Sequence, residues 1–171
     1  NYDILILPAG KYNTMTDTIH TKLENWVKAG GKLIAIESAL ELFADKNGAR
    51  LKTYSDEGEK KKFEDKFSAV KEIEKTAPFQ ERERLDISNY AAGAVFEVQM
   101  DTTHPLGYGT EGRFYTLKNN PQRFSYLDTG VNAGFIPTAD RHRAGFIGYK
   151  IKPKMEKSLV FGQENMGNGQ I

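Results

Sequence analysis

Apolar and polar positions change rhythm along this chain, and each rhythm predicts a different element. Ile4, Leu5, Ile6 and Leu7 form an unbroken apolar run closed by Pro8 and Gly10. A run without polar alternation predicts a strand buried on both faces. In "TDTIHTKLENWVKAGG", Ile19, Leu23, Trp26 and Val27 fall three and four residues apart, which predicts an amphipathic helix. Thr16 or Asp17 can cap its start, and Gly30 suits the backbone beyond its end. "KLIAIE" is a second buried strand, and "SALELFAD" predicts a short helix directly after it. Strand, helix, strand, helix with short connections predicts a parallel sheet with right-handed crossovers.

From about residue 50 to about residue 85 the pattern is lost. "SDEGEKKKFEDKFSAVKEIEKTAPFQERER" is dominated by charge, with Phe63, Phe67, Val70 and Ile73 at helical spacing. It reads as a charged, solvated insertion containing a surface helix. Beyond Ile87 the period becomes two. "AVFEVQM" puts Phe96, Val98 and Met100 on one face, and "GRFYTLKNNPQ" reads as a strand running into an Asn-Asn-Pro turn. "FSYLDTGVNAGFI" and "AGFIGYKI" are further strands. "KSLVFGQENMGNGQI" is a strand, a Gly-Asn-Gly turn and the first residues of another strand. The expected architecture is therefore α/β: a three-layer sandwich with a mostly parallel sheet, plus additional strands in the C-terminal half. No repeat is visible. A chain that starts on a central-looking strand and stops inside an element reads as one domain, residues 1–171, within a larger polypeptide.

Composition narrows the chemistry. A net charge of +1 over 171 residues gives no basic face, so nucleic acid is not an expected partner. No stretch reaches the roughly 18 apolar residues needed to cross a bilayer, so no membrane is expected either. There is no cysteine, which excludes disulfides, thiolate metal sites and cysteine nucleophiles.

"YDILILPAGKY" and "LENWVKAGGKLIAI", followed by "AIESALELFA", resemble the class I glutamine amidotransferase-like, flavodoxin-type fold. There, a strand of the form "YDxLILPGG" leads through a helix to a Gly-Ile-Cys-x-Gly nucleophile elbow. Here Glu37 stands where the cysteine would be, with Ala35 and Ala39 for the glycines. Together with "ISNYAAGAVFEVQMDTTHPLGYG" and "FGQENMGNGQI", the order of segments is similar to a narrower setting. That setting is the amidotransferase-like domain C-terminal to the catalytic domain of large bacterial carboxypeptidase-A-like zinc carboxypeptidases. A further strand and helix usually follow the Gly-x-Gly turn in that family. The resemblance implies a periplasmic or extracellular parent metallopeptidase whose zinc lies in its own catalytic domain.

The candidate residues test that implication. A carboxylate at Glu37 cannot form the thioester of glutamine hydrolysis, so glutaminase activity is excluded. Glu37 is either a residual ligand contact or, with Ser38, the cap of a strand-to-helix corner. His104 in "DTTHPLG" is either a turn residue or a ligand contact. Pro105 biases it to extended backbone, while Asp101, Thr102 and Thr103 can bond local backbone groups. The His-Pro-Glu base motif of amidotransferases is not reproduced, because Leu106 follows the proline. Tetrahedral zinc would need a His-x-x-Glu pair and a third histidine. None of His20, His104 and His142 has a glutamate three residues on, His20 reads as solvent-facing, and His142 could meet Asp140 in a loop. No metal or other cofactor is expected in this chain. Tyr108, Phe114, Tyr115 and Tyr126 are candidates for a sugar- or peptide-binding surface, or simply for strand packing.

Three functions remain. The first is a non-catalytic accessory domain packing against the peptidase domain of the same polypeptide, or against a peptide substrate. The second is a binding module using the crevice at the strand ends, near Gly10, Glu37 and Ser38. The third is a hydrolase pairing Glu37 with His104.

Overall fold

Strands β1 (Ile4–Leu7) and β2 (Lys32–Ala35) pair in parallel around helix α1 (Asp17–Lys28). The computed structural model describes residues 2–12, 14–45, 50–54, 76–88 and 90–171. Most of the expected charged insertion, including Phe63, Phe67, Val70 and Ile73, lies outside these residues. Its end forms helix α2 (Phe79–Ile87). Seven more strands follow: β3 (Ala91–Met100), β4 (Arg113–Lys118), β5 (Val131–Ile136), β6 (His142–Ile147), β7 (Ser158–Gln163), β8 (Asn165–Met166) and β9 (Gly169–Gln170).

The strands form two sheets, and the α/β class holds. The first sheet has the order β1-β2-β9-β8, parallel from β1 to β9 and closed by the antiparallel β8–β9 hairpin. The second has the order β4-β3-β5-β7, with β6 also on β3, and is antiparallel throughout. A mostly parallel sheet is therefore not what the described strands form. The period-two pattern after Ile87 is the cause. Alternation suits strands with one wet face, which are overwhelmingly antiparallel.

The main core lies on one face of the second sheet, where Ala94, Phe96, Val98 and Met100 are buried with Ile136, Ile151 and Met155. Near its start β3 bulges opposite β6, between Ala92 and Phe96. Gly93 (φ +89°) and Gly145 (φ +79°) face each other there, and a Cβ on Gly145 would sit 1.9 Å from the Gly93 carbonyl oxygen. A smaller core joins Val27 of α1 to Leu33 of β2, Phe43 and Met166. The C-terminal hairpin closes it: Asn168 N–H donates to Lys28 O, and Gln170 N–H to Gly31 O.

Glu164, where β7 passes into β8, is buried with its Oε2 atom unpartnered. Burial pushes its carboxyl above the usual range, and the charge and backbone N–H of Arg50 only partly offset this. A raised carboxyl pKa means that the folded chain binds a proton the unfolded chain has released. Stability from this group is thus present at low pH and falls as pH rises from the unfolded to the folded pKa. Glu164→Gln, neutral at every pH, is expected to raise the thermal midpoint at pH 7 and to remove this part of the decline. Parallel melts of both proteins between pH 4 and 7 check it, and an equal decline in both would refute it.

Candidate functional site

The strand-to-helix corner after β2 turns sharply through a left-handed residue. Ile36 is extended (φ −121°, ψ 129°), its N–H bonded to Leu7 O at 3.0 Å. Glu37 then takes φ +50° before a 3-10 helix over Glu37–Leu42, where a short helix was expected. A left-handed residue with a side chain costs about 1–2 kcal/mol, and such positions gather at functional turns. Glu37 is exposed and caps nothing. Glu37→Gly should therefore stabilise the chain, by about 0.5–1 kcal/mol once glycine's own backbone entropy is deducted. A urea midpoint unchanged or lowered in that variant would show the corner to be unstrained.

Ser38 and Gly10 meet as expected, but they occupy each other. Gly10 N–H donates to Ser38 Oγ at 2.9 Å, and the hydroxyl donates back to Gly10 O at 3.0 Å. These two hydrogen bonds staple the segment after β1 to the corner after β2. Beside it lies an open cleft of about 680 Å³ lined by Ala9, Gly10, Lys11, Tyr12, Ser38, Glu41 and Leu42. Tyr12 Oη spends its proton on Pro8 O at 2.5 Å. The cleft offers one cation, one carboxylate and a tyrosine ring, which suits weak contact with a small polar ligand.

Glu37 does not line that cleft. Its electrostatic neighbour is Lys118, at the end of β4, a residue the sequence reading passed over. Burial lowers the Lys118 pKa and the Glu37 charge partly restores it, while Nζ donates to Gln122 O at 2.5 Å. The available signal was parity, since Lys118 shares its face of β4 with Phe114 and Thr116, opposite buried Ala94 and Phe96.

His104 lies elsewhere. It follows β3 at the end where Gln99 pairs with Arg113, whereas Lys118 pairs with Ala94. Five residues of strand, about 17 Å, separate those ends. The Glu37–His104 acid–base pair has no geometric support. At its own corner His104 Nδ1 accepts from Leu106 N–H at 3.3 Å, capping a 3-10 turn over Pro105–Gly107. Asp101 Oδ1 accepts from Thr103 N–H (2.9 Å) and from its hydroxyl (2.6 Å). These bonds, the hydroxyl's foremost, hold the Asp101 carboxyl below its ordinary pKa.

The other histidines differ from expectation. His20 is largely covered, its ring 5.5 Å from that of Phe43 and Nδ1 3.7 Å from Glu24 Oε1. The helix turns His20 toward Phe43 because it lies one turn before Leu23 and Glu24, beside the apolar stripe rather than opposite it. His142 opens β6 instead of meeting Asp140 in a loop, and packs 5.3 Å from the Phe96 ring. Among the described residues no three His, Asp or Glu side chains converge as metal ligands. The aromatic candidates scatter: Phe114 packs edge-on against Phe161 and Tyr126 against Phe135, while Tyr108 and Tyr115 are exposed.

The first sheet carries an exposed apolar face. Leu5, Leu7, Leu33 and Ala35 point to α1, as a buried strand pair requires. Among the described residues the alternate positions find no second layer: Tyr2, Ile4, Ile6, Ile34 and Ile36 are 80%, 54%, 56%, 48% and 44% exposed. The strands expected to be buried on both faces are buried on one. No family model, curated protein or solved structure matches this chain.

Proposed function

We propose that this chain is a non-catalytic accessory domain that docks, through the open face of its parallel sheet, onto the peptidase domain of a larger zinc carboxypeptidase polypeptide. One observation carries the reading: β1 and β2 have an apolar second face on which Ile4, Ile6 and Ile34 are each about half exposed. Parallel sheets are stable when both faces are covered, and a contiguous apolar patch on a folded domain marks an interaction surface. Two strands of four residues offer a patch about 13 Å by 10 Å, the footprint of two turns of one α-helix. On this reading β1, α1 and β2 are two layers of a three-layer α/β sandwich, and the parent polypeptide supplies the third. The resemblance of "YDILILPAG" and "LENWVKAGGKLIAI" to amidotransferase-like domains supports this reading, in which the parent is periplasmic or extracellular and its zinc belongs to the peptidase domain.

The test is affinity for the separately expressed peptidase domain. Ile34→Lys sits at the centre of the patch, beside Ile6, and should weaken binding at least tenfold. Because Ile34 is half exposed, the variant should fold within about 0.5 kcal/mol of the parent chain. Equal affinity for both proteins, or no binding by either, would remove the docking role.

A second reading keeps the elbow: the cleft beside Gly10 and Ser38 as a small-ligand site, favoured by the left-handed backbone of Glu37. Saturable stabilisation by a small polar ligand, lost in a Lys11→Ala, Glu41→Ala double variant, would support it.

A further inference from the structure

The solvent face of the antiparallel sheet carries a built cationic cluster. Glu97, on β3, is only 7% exposed at its side chain, and each of its carboxylate oxygens holds a different arginine. Arg141 Nη1 donates to Oε1, and Arg143 Nε donates to Oε2 at 2.8 Å. These hydrogen bonds, Arg143's foremost, keep the Glu97 carboxyl below its ordinary pKa. The arginines themselves are 37% and 45% exposed, so Glu97 is roofed by its partners at the surface. Arg143 is gripped through Nε, and its Nη1 and Nη2 atoms have no acceptor among the described residues. Two aligned N–H donors on a guanidinium end are the geometry that receives a planar carboxylate.

The neighbours define the rest of the ligand. Tyr115 lies directly across from Glu97, and Leu117 across from Val95. Tyr115 and Leu117 share that solvent face, each 56% exposed. Arg113 lies on the same face of β4, across from Gln99, and two guanidinium groups hold the one Glu97 carboxylate. Fixed guanidinium donors beside an exposed ring and an aliphatic surface match an anion joined to an apolar body.

We propose that this face is a binding site for a carboxylate-bearing ligand with an adjoining aromatic group, with Arg141 and Arg143 as the anion-binding residues, Glu97 as the residue that positions them and Tyr115 as the stacking surface. The site is independent of the sheet face assigned above to docking.

Titration calorimetry of the whole chain with N-acetyl-phenylalanine tests it. A ligand of this size on an open surface should bind saturably with a dissociation constant of about 1 mM. Its primary amide, which lacks the anion, should not bind. Arg143→Lys keeps the charge but loses the fork and should weaken binding about tenfold, its fold checked by circular dichroism. Glu97→Gln separates organisation from charge. It makes the face more positive, so a site acting by charge alone would bind more tightly, whereas a site that needs held arginines binds more weakly. No saturable binding by the parent chain, tighter binding by Glu97→Gln, or an undiminished Arg143→Lys would each overturn the proposal. Inorganic phosphate binding as tightly as the probe would also overturn it, since the tyrosine and the planar carboxylate would then contribute nothing.

Discussion

Phe96→Ala is expected to lower the unfolding free energy by about 3–5 kcal/mol, a large part of what a domain of this size possesses. Phe96 is completely buried at the middle of β3, between Ala94 and Val98, with the His142 ring 5.3 Å away. Among the described strands β3 is the one bonded to three others, and the cavity would open at Phe96, where β4 (Thr116) and β6 (His142) both pair with it. Removing the ring also strips contacts from His142, whose Nε2 is already buried without a hydrogen-bond partner. Urea titration followed by circular dichroism measures the loss. Phe96→Leu, which keeps most of the volume, should cost about 1.5 kcal/mol. A loss below about 1 kcal/mol for the alanine variant would mean that the antiparallel sheet does not carry the main core.

Gly145→Ala is expected to cost about 3 kcal/mol or more, by a different route. Two effects coincide at this position: a φ of +79°, and a neighbouring carbonyl oxygen only 1.9 Å from where Cβ would lie. Gly109 separates them, because it has the same φ of +79° and nothing within 4 Å of its hypothetical Cβ. Gly109→Ala should therefore cost only the left-handed penalty, about 1 kcal/mol. The difference between the variants reports the clash at the bulge, where neither backbone can retreat without opening the β3–β6 ladder. Equal losses would mean that the bulge is absent or soft. Gly93 cannot be substituted to relieve the contact, since its offending atom is its own backbone oxygen.

Much of this architecture is legible in the residues. Period-two alternation located β3 and its buried face of Phe96, Val98 and Met100, and the Asn-Asn-Pro turn ended β4 as expected. Helical spacing located α1, with Val27 fully buried, although Thr16 caps it through backbone geometry alone. An apolar run cannot say whether both faces of a strand are covered, because periodicity records the side chains and not their neighbours. Ile4, Ile6, Ile34 and Ile36 therefore looked like core and are surface. Direction of pairing was likewise invisible in "FSYLDTGVNAGFI". Only Val131–Ile136 of that stretch joins β5, and Phe124 makes isolated bridges instead.

The site was less legible than the fold. Gly10 and Ser38 lie together, and sequence could not show that the serine hydroxyl is consumed by the glycine backbone. Glu37 and His104 were paired on residue type, and the length of β3 and β4 separates them. Glu97, Arg141 and Arg143 are not legible as a group because the partners are more than forty residues apart and each alone is an ordinary charge in a strand or turn. Alternation does place Glu97 on the wet side of "AVFEVQM". Nothing in one sequence brings "DRHR" beside it.

On the docking reading the parallel sheet's open face is covered in the parent polypeptide, and because these 171 residues hold no cysteine an introduced thiol is unique within them. Ile34→Cys introduces one thiol at the centre of the patch, and Lys22→Cys one on the exposed side of α1. Maleimide labelling rates would be compared in the isolated chain and in the full-length protein. Both sites should label readily in isolation. In the full-length protein Ile34→Cys should be protected at least tenfold while Lys22→Cys is unchanged. Equal labelling of Ile34→Cys in both settings would show that the face stays open to solvent, and the docking role would have to be abandoned.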